Sequence, residues 1–251
     1  MIIEINNRSN YEQYEELLFK RDNYLKEADR YFSLYLNEFG DILESLFRKK
    51  VSCIKLKKSI EYCQSHIFSG SPIDGKNMEY EIQQQMTEYE KTLEELIENN
   101  KISAEPQIPS AEVTEKVNSQ YKKNAKLIHP DINPLTNTDP KLLELWNRTF
   151  AAFHADSPEE LENLEILINR TITNSVKTEF PDIEERIEAL NKDIQKIVES
   201  EPYRYKTLLN DKELLADKKE DLLAELEDYT EYEKKLTQTL SEYPITGIFP
   251  N

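Results

Sequence analysis

An all-α protein built from long helices is what this sequence predicts, and three observations carry that prediction. Glycine occurs only 4 times in 251 residues, while Glu, Lys and Leu, all strong helix formers, are plentiful. Apolar residues recur at spacings of three and four through most of the chain. Only 38% of residues are hydrophobic and 32% are charged, a balance suited to elongated helical hairpins, which bury less surface than a sphere. The length allows one large domain or two to three small ones. Breakers and composition divide it into a helical hairpin over 1–104, a compact helical module over 105–172 and a second hairpin over 173–251. Both hairpins are expected to be coiled coils.

In the first hairpin a long helix is expected from near Asn10 into the sixties. Leu17, Leu18, Tyr24, Leu25, Tyr31, Phe32, Tyr35, Phe39, Ile42, Leu43, Leu46 and Phe47 recur along it at helical spacing. Ser69-Gly70-Ser71-Pro72 breaks it. A second helix then carries Met78, Ile82, Met86, Tyr89, Leu93 and Leu96 and leads into a proline-bearing linker over 103–109. The stretch from Arg48 to Lys58 holds six basic residues and no acid. It reads either as a nucleic-acid contact or as a complement to an acidic helix of the same protein. No aromatic residue interleaves it, as a base-stacking platform would require.

In the module, Val113, Val117, Tyr121, Ala125 and Ile128 share one side of a helix, and Lys116, Lys122, Lys123 and Lys126 share the other. No acid lies between 116 and 126, so the basic stripe is expected to present an uncompensated positive field. Pro130 disfavours helical backbone at His129, so the helix should end there. A polar loop follows. Asp139 is a good N-cap and Pro140 suits the first helical position. The next helix buries Leu142, Leu145, Trp146, Thr149 and Phe153 at spacings of three and four. Two helices joined by a tight loop should pair antiparallel. Ser157, Pro158 and Glu160 look like a capping box that opens a further helix over about 158–170, using Leu161, Leu164 and Ile168.

The second hairpin begins with Ile183, Ile187, Leu190, Ile194 and Ile197, spaced as a coiled-coil seam. Glu201-Pro202 breaks it, and one further helix offers Leu208, Leu215, Leu222, Leu226, Tyr229, Leu236 and Leu240. Residues 173–180 read as the joint with the module, and the tail from Pro244 as extended.

The chemistry concentrates in His129-Pro130-Asp131. The loop has no nucleophile beside a base, and one imidazole next to one carboxylate is no triad, so no enzymatic activity is expected. A stiff loop with an acceptor carboxylate at its tip suits docking instead. Asp131 can accept a bidentate bond from an arginine of a partner. Pro130 fixes the backbone and lowers the entropy cost of binding. The lysines steer an acidic surface. A helix-stop turn alone would need only Pro130 and the Asn133-Pro134 pair, not this combination.

Helix, basic face, His-Pro-Asp loop and second apolar helix together resemble a J domain, the module by which DnaJ-like co-chaperones engage DnaK-type heat-shock chaperones. The resemblance implies that His129, Pro130, Asp131, Lys122, Lys123 and Lys126 contact the chaperone and accelerate its ATP hydrolysis. It also implies that Tyr121, Ala125, Trp146 and Phe153 form the core. The usual J domain opens with a short helix bearing Tyr-x-x-Leu-Gly-Val, and Ser103–Pro109 holds no such helix. The chain is thus similar to bacterial J-like proteins in which coiled-coil helices flank an abbreviated module.

A net charge of −17 argues against general binding to nucleic acid or anionic lipid. No signal peptide or membrane-spanning run is read, which fits a cytoplasmic protein. Cys53 and Cys63 lie ten residues apart on one expected helix, about 15 Å along its axis and too far for a disulfide. Neither a metal nor a cofactor is implied. Three readings remain: a co-chaperone whose coiled coils hold a client or scaffold protein or dimerise, a structural coiled-coil protein with an inactive J-like module, and a nucleic-acid-associated factor.

Overall fold

A computed structural model describes the backbone of residues 2–102, 108–172 and 182–247, and side chains from residue 10 onward within these ranges apart from 99–102. It is all-α, as the sequence predicts. Eight α-helices and one 3-10 helix account for nearly all described residues, and the only strands among them are two of two residues each. The linker residues 103–107, the joint at 173–180 and the tail beyond 247 lie outside the described residues.

The helices are α1 (Ile2–Ser69), α2 (Gly75–Ile102), α3 (Ala111–Ile128), α4 (Pro140–His154), α5 (Pro158–Thr171), α6 (Ile183–Glu199), α7 (Glu201–Asn210) and α8 (Lys212–Ser241). The strands are β1 (Ile73–Asp74) and β2 (Ile245–Thr246). Their contacts do not follow the three consecutive segments read from the sequence. One compact unit joins residues 1–30 to 107–204, and the other joins 31–106 to 205–251. Helix α1 thus contributes to both.

The first unit is built on α3, α4 and α5, which pack pairwise around one core. Val117, Tyr121, Ala125, Ile128, Phe153, Leu161, Leu164 and Ile168 are each at most 1% exposed. Tyr121 stacks on Phe153 near the far end of α4, with ring centroids 3.9 Å apart, while His129 meets Trp146 earlier in that helix at 4.6 Å. Advance along α3 therefore matches retreat along α4, and the pair is antiparallel. Asp139 caps α4 by accepting from the amides of Lys141 and Leu142. Ser157 stands at the N-cap of α5 but makes no side-chain cap bond. Glu160, expected to complete the capping box, instead takes Arg148 of α4 at 2.7 Å.

Two corrections follow from this core. Tyr14, Leu18 and Phe19 of α1 are buried in it, so a helix far upstream in sequence covers α3, α4 and α5. Ile183 and Leu190 of α6 also join it. The grouping of α6 with the following helices expected from sequence is corrected: α6 packs with α3–α5, while α8 belongs to the other unit. The helix read through Leu208–Leu240 is also divided, since Asp211 caps α8 with bonds from Glu213 N and Leu214 N.

In the second unit, Tyr35, Leu36, Phe39 and Leu46 of α1 pack with Leu222 of α8 and with Leu208 and Leu209 of α7. Tyr35 stacks flat on Tyr205 at 3.9 Å. Gly70 ends α1 in left-handed backbone, φ 70°, a conformation that costs glycine least. The chain then turns back, and Cys63 packs with Ile73, Met78, Ile82 and Met86, as an α1–α2 hairpin requires. Strand β1 pairs with β2 in parallel, Ile73 opposite Ile245. The basic stretch 48–58 is matched by acidic and aromatic residues of α8. Lys50 pairs with Glu225 at 2.7 Å, Lys49 pairs with Glu233, and Lys57 lies 5.5 Å from the Tyr232 ring centre. The complement-to-an-acidic-helix reading fits this placement.

Truncating Phe153 to alanine should destabilise the protein by about 3–5 kcal/mol, because it empties the centre of the first core. Leu143→Ala, on the exposed side of α4, should change stability by less than about 0.5 kcal/mol. Chemical denaturation followed by circular dichroism checks both.

Candidate functional site

Local chemistry shapes the His-Pro-Asp loop before any partner is considered. His129 leaves the helix at φ −61°, ψ 129°, the extended backbone that a following proline favours. Its amide still donates to Ala125 O at 2.8 Å. Its carbonyl accepts from Ile132 N at 2.9 Å and Asn133 N at 2.7 Å, which closes a tight turn. The side chain of Asn133 donates back to Leu127 O at 2.9 Å and accepts from Leu135 N at 3.1 Å. Ile132 is 5% exposed and anchors the turn from below.

The imidazole is oriented by these bonds. Asp131 N donates to His129 Nδ1 at 3.0 Å, so Nδ1 presents its lone pair and the ring proton sits on Nε2. Nε2 lies 3.5 Å from Asp22 Oδ2, and the ring is only 3% exposed. The expectation that the ring stands at the tip of the loop as a free donor is therefore corrected: it is turned inward, between Trp146 and Asp22. Asp131 does reach the surface, with its side chain 45% exposed, and Pro130 between them is half-buried.

Helix α1 supplies the rest of the site. Asp22 is 2% exposed. Its Oδ2 accepts from the Tyr121 hydroxyl at 2.8 Å, and its Oδ1 takes Arg21 at 3.0 Å. Burial by itself pushes the Asp22 carboxyl up, but His129, Arg21 and Tyr121 together outweigh burial and hold it below the usual range. Burial and the adjacent Asp22 charge raise Tyr121 far above an ordinary phenol, so it remains a donor. Arg21 also extends Nη1 to Asp131 Oδ2 at 3.3 Å. The arginine that the sequence places on a partner is thus met, in part, within the chain.

The basic face is also more occupied than the sequence implies. Lys126 pairs with Glu15 of α1 at 2.9 Å and Lys116 with Glu162 of α5 at 3.0 Å. Lys122 lies 5.4 Å from the Phe19 ring centre, and Lys123 reaches Gln120 Oε1 at 3.5 Å. The expected uncompensated stripe is corrected accordingly: acids of α1 and α5, distant in sequence, meet two of its lysines. Lys123 and Lys126 remain exposed, whereas Lys122 is half-buried. The structure therefore gathers His129, Pro130, Asp131, Lys122 and Lys126 about the Glu15–Asp22 stretch of α1, with Lys123 beside them on α3.

A second charged cluster holds α1 further along. Asp156 follows α4 in left-handed backbone, φ 51°, which aspartate tolerates better than most residues. Ser157 N donates to Ala152 O at 3.0 Å across this turn, satisfying the end of the helix. The Asp156 carboxylate pairs with Lys26 at 2.6 Å and Arg30 at 2.7 Å. Burial pulls the Lys26 ammonium below its usual range, and Asp156 offsets only part of that. Sequence reasoning missed Arg21, Asp22, Lys26 and Glu15. The signal was present: Tyr14, Leu18, Asp22 and Lys26 follow one another at spacings of four, so a carboxylate and an ammonium interrupt an apolar ridge.

In chemical terms the site can hold or accept a cation at Asp131 and present lysines beside it. Among the described residues no group of three or more His, Cys, Asp or Glu side chains is arranged to hold a metal ion. Among them too, no helix is long and apolar enough to cross a membrane.

Because the folded-state pKa of Asp22 is depressed, its stabilisation is fully present above its unfolded pKa, near 4, and is lost as pH falls through the folded value. Asp22→Asn should be less stable at pH 7 by roughly 1–3 kcal/mol. That deficit should shrink as pH falls below about 4. Denaturation series at several pH values, with both proteins, check the slope. No protein-family model, curated protein or solved structure matches the chain.

Proposed function

We propose that this protein is a J-domain-like co-chaperone. It docks on a DnaK-type heat-shock chaperone through His129, Pro130, Asp131 and the lysines of α3, and stimulates hydrolysis of the chaperone's ATP without a reaction of its own. The observation that carries the reading is the Asp131 carboxylate: half exposed at the turn of an antiparallel helix pair, beside exposed Lys123 and Lys126, and already engaged by a guanidinium. A carboxylate that binds Arg21 in this setting has the geometry to bind an arginine of a partner. Trp146, Tyr121 and Phe153 fix the two helices, so the loop is presented with little conformational freedom to lose. Cytoplasmic placement, where chaperone and ATP meet, belongs to the same proposal.

A second reading is favoured by one observation. His129 is buried and bonded within the chain, as in a turn whose only work is to join two helices. In that reading the protein is a structural interaction protein and the tripeptide activates nothing.

Single-turnover ATP hydrolysis by the DnaK-type chaperone of the same organism separates the two. The intact chain should accelerate hydrolysis, and Asp131→Asn should reduce that acceleration about tenfold or more, since a charge-assisted contact with the partner is lost. No acceleration by the intact chain favours the structural reading. Acceleration that survives Asp131→Asn unchanged removes the loop from the contact.

A further inference from the structure

The face of the module assigned to docking is not bare. Glu15, Phe19 and Arg21, all within two turns of α1, meet Lys126, Lys122 and Asp131 respectively. Two of the three contacts have the chemistry that a docking partner would bring: a carboxylate for a lysine, and a guanidinium for the loop carboxylate. Arg21 divides its fork, with Nη2 on Asp22 at 3.0 Å and Nη1 on Asp131 at 3.3 Å. A second arginine that approaches Asp131 in a bidentate fork, using both carboxylate oxygens, competes with it for Oδ2.

Resting on the co-chaperone reading, we propose that Arg21 is an intramolecular competitor for Asp131, so that the chain holds its own docking carboxylate closed until a partner's arginine displaces it. The exchange occurs at the level of side chains, not by lifting α1. Tyr14, Leu18 and Phe19 are each at most 5% exposed, so lifting the helix would open the core. By contrast, the side chains of Arg21 and Asp131 are 22% and 45% exposed, and solvent can reach both during an exchange. Asp22 holds Arg21 in place through Nε at 3.1 Å and Nη2 at 3.0 Å, so the longer Nη1 contact to Asp131 at 3.3 Å is the one that gives way, by rotation of the exposed Asp131 side chain. Partial exposure also bounds the strength of the closure, because such pairs contribute modestly. A closed fraction of this kind weakens apparent affinity by the fraction of open molecules.

The test measures the affinity of the full chain for an ATP-bound DnaK-type chaperone, by titration, for the native protein, Arg21→Ala, Glu15→Gln, Asp131→Asn and the Arg21→Ala/Asp131→Asn pair. Circular dichroism and thermal melting establish that each is folded. Arg21→Ala should bind about three- to tenfold more tightly than the native chain. Glu15→Gln, which frees Lys126 without touching the buried network, should bind about twofold more tightly and serves if Arg21→Ala fails to fold. The double variant should be as weak as Asp131→Asn alone, since Arg21 acts through that carboxylate. Equal or weaker binding by folded Arg21→Ala overturns the competition and leaves the co-chaperone reading standing; weaker binding would make Arg21 a support of Asp131. Absence of binding by every folded variant overturns the co-chaperone reading, and the competition with it.

Discussion

A buried carboxylate on α1 organises the module that carries the His-Pro-Asp loop. Asp22 is 2% exposed, and an ionised group in such a place is costly unless every lone pair is used. Tyr121, Arg21 and His129 meet that need from three directions. The requirement runs both ways. To serve Asp22, the His129 ring must turn inward with its proton on Nε2, and the loop must close so that Asp131 N reaches Nδ1. Tyr121 must hold its hydroxyl at the same point, which fixes its ring against Phe153 and so sets α3 on α4. Loop shape, helix pairing and the seating of α1 are therefore one problem with one solution.

That solution has a consequence for binding. A loop meant to meet a partner usually keeps its polar groups available. Here the imidazole is spent on internal structure, and the carboxylate of Asp131 is shared with Arg21. The half-exposed Asp131 carboxylate, with Arg21 on its Oδ2, and the exposed lysines are what a visitor would meet. Recognition would then depend on a carboxylate whose orientation is fixed in advance, and on displacement of a side chain that costs little to move.

The helices were legible because each rests on local rules. Pro130 stops α3, Asp139 caps α4, and Leu161, Leu164 and Ile168 repeat on α5. The apolar run of α1 from Leu17 to Phe47 was equally plain. What the local rules could not supply was partnership. Periodicity says that a helix buries a face but not against what, so α6 was paired with its neighbour in sequence and not with α3–α5. The tripeptide itself was legible, and so were the core positions Tyr121, Ala125 and Phe153. The inward turn of His129 was not, because its cause lies more than a hundred residues away in Asp22. The lysine stripe misled for the same reason: neutrality was judged within α3, while Glu15 and Glu162 arrive from other helices. The capping box at Ser157 is not made: Ser157 forms no side-chain cap bond, and Glu160 pairs with Arg148 of α4.

The ring of His129 reports on this account most directly. The chain contains 3 histidines, so nitrogen-15 resonances of the imidazoles can be assigned with single substitutions at His66 and His154. The Asp131 N–His129 Nδ1 bond predicts a His129 ring protonated at Nε2, with Nδ1 carrying the signature of a hydrogen-bond acceptor and with the Nε2 proton exchanging slowly with water. A ring protonated at Nδ1, or one that exchanges as fast as a free imidazole, would contradict it.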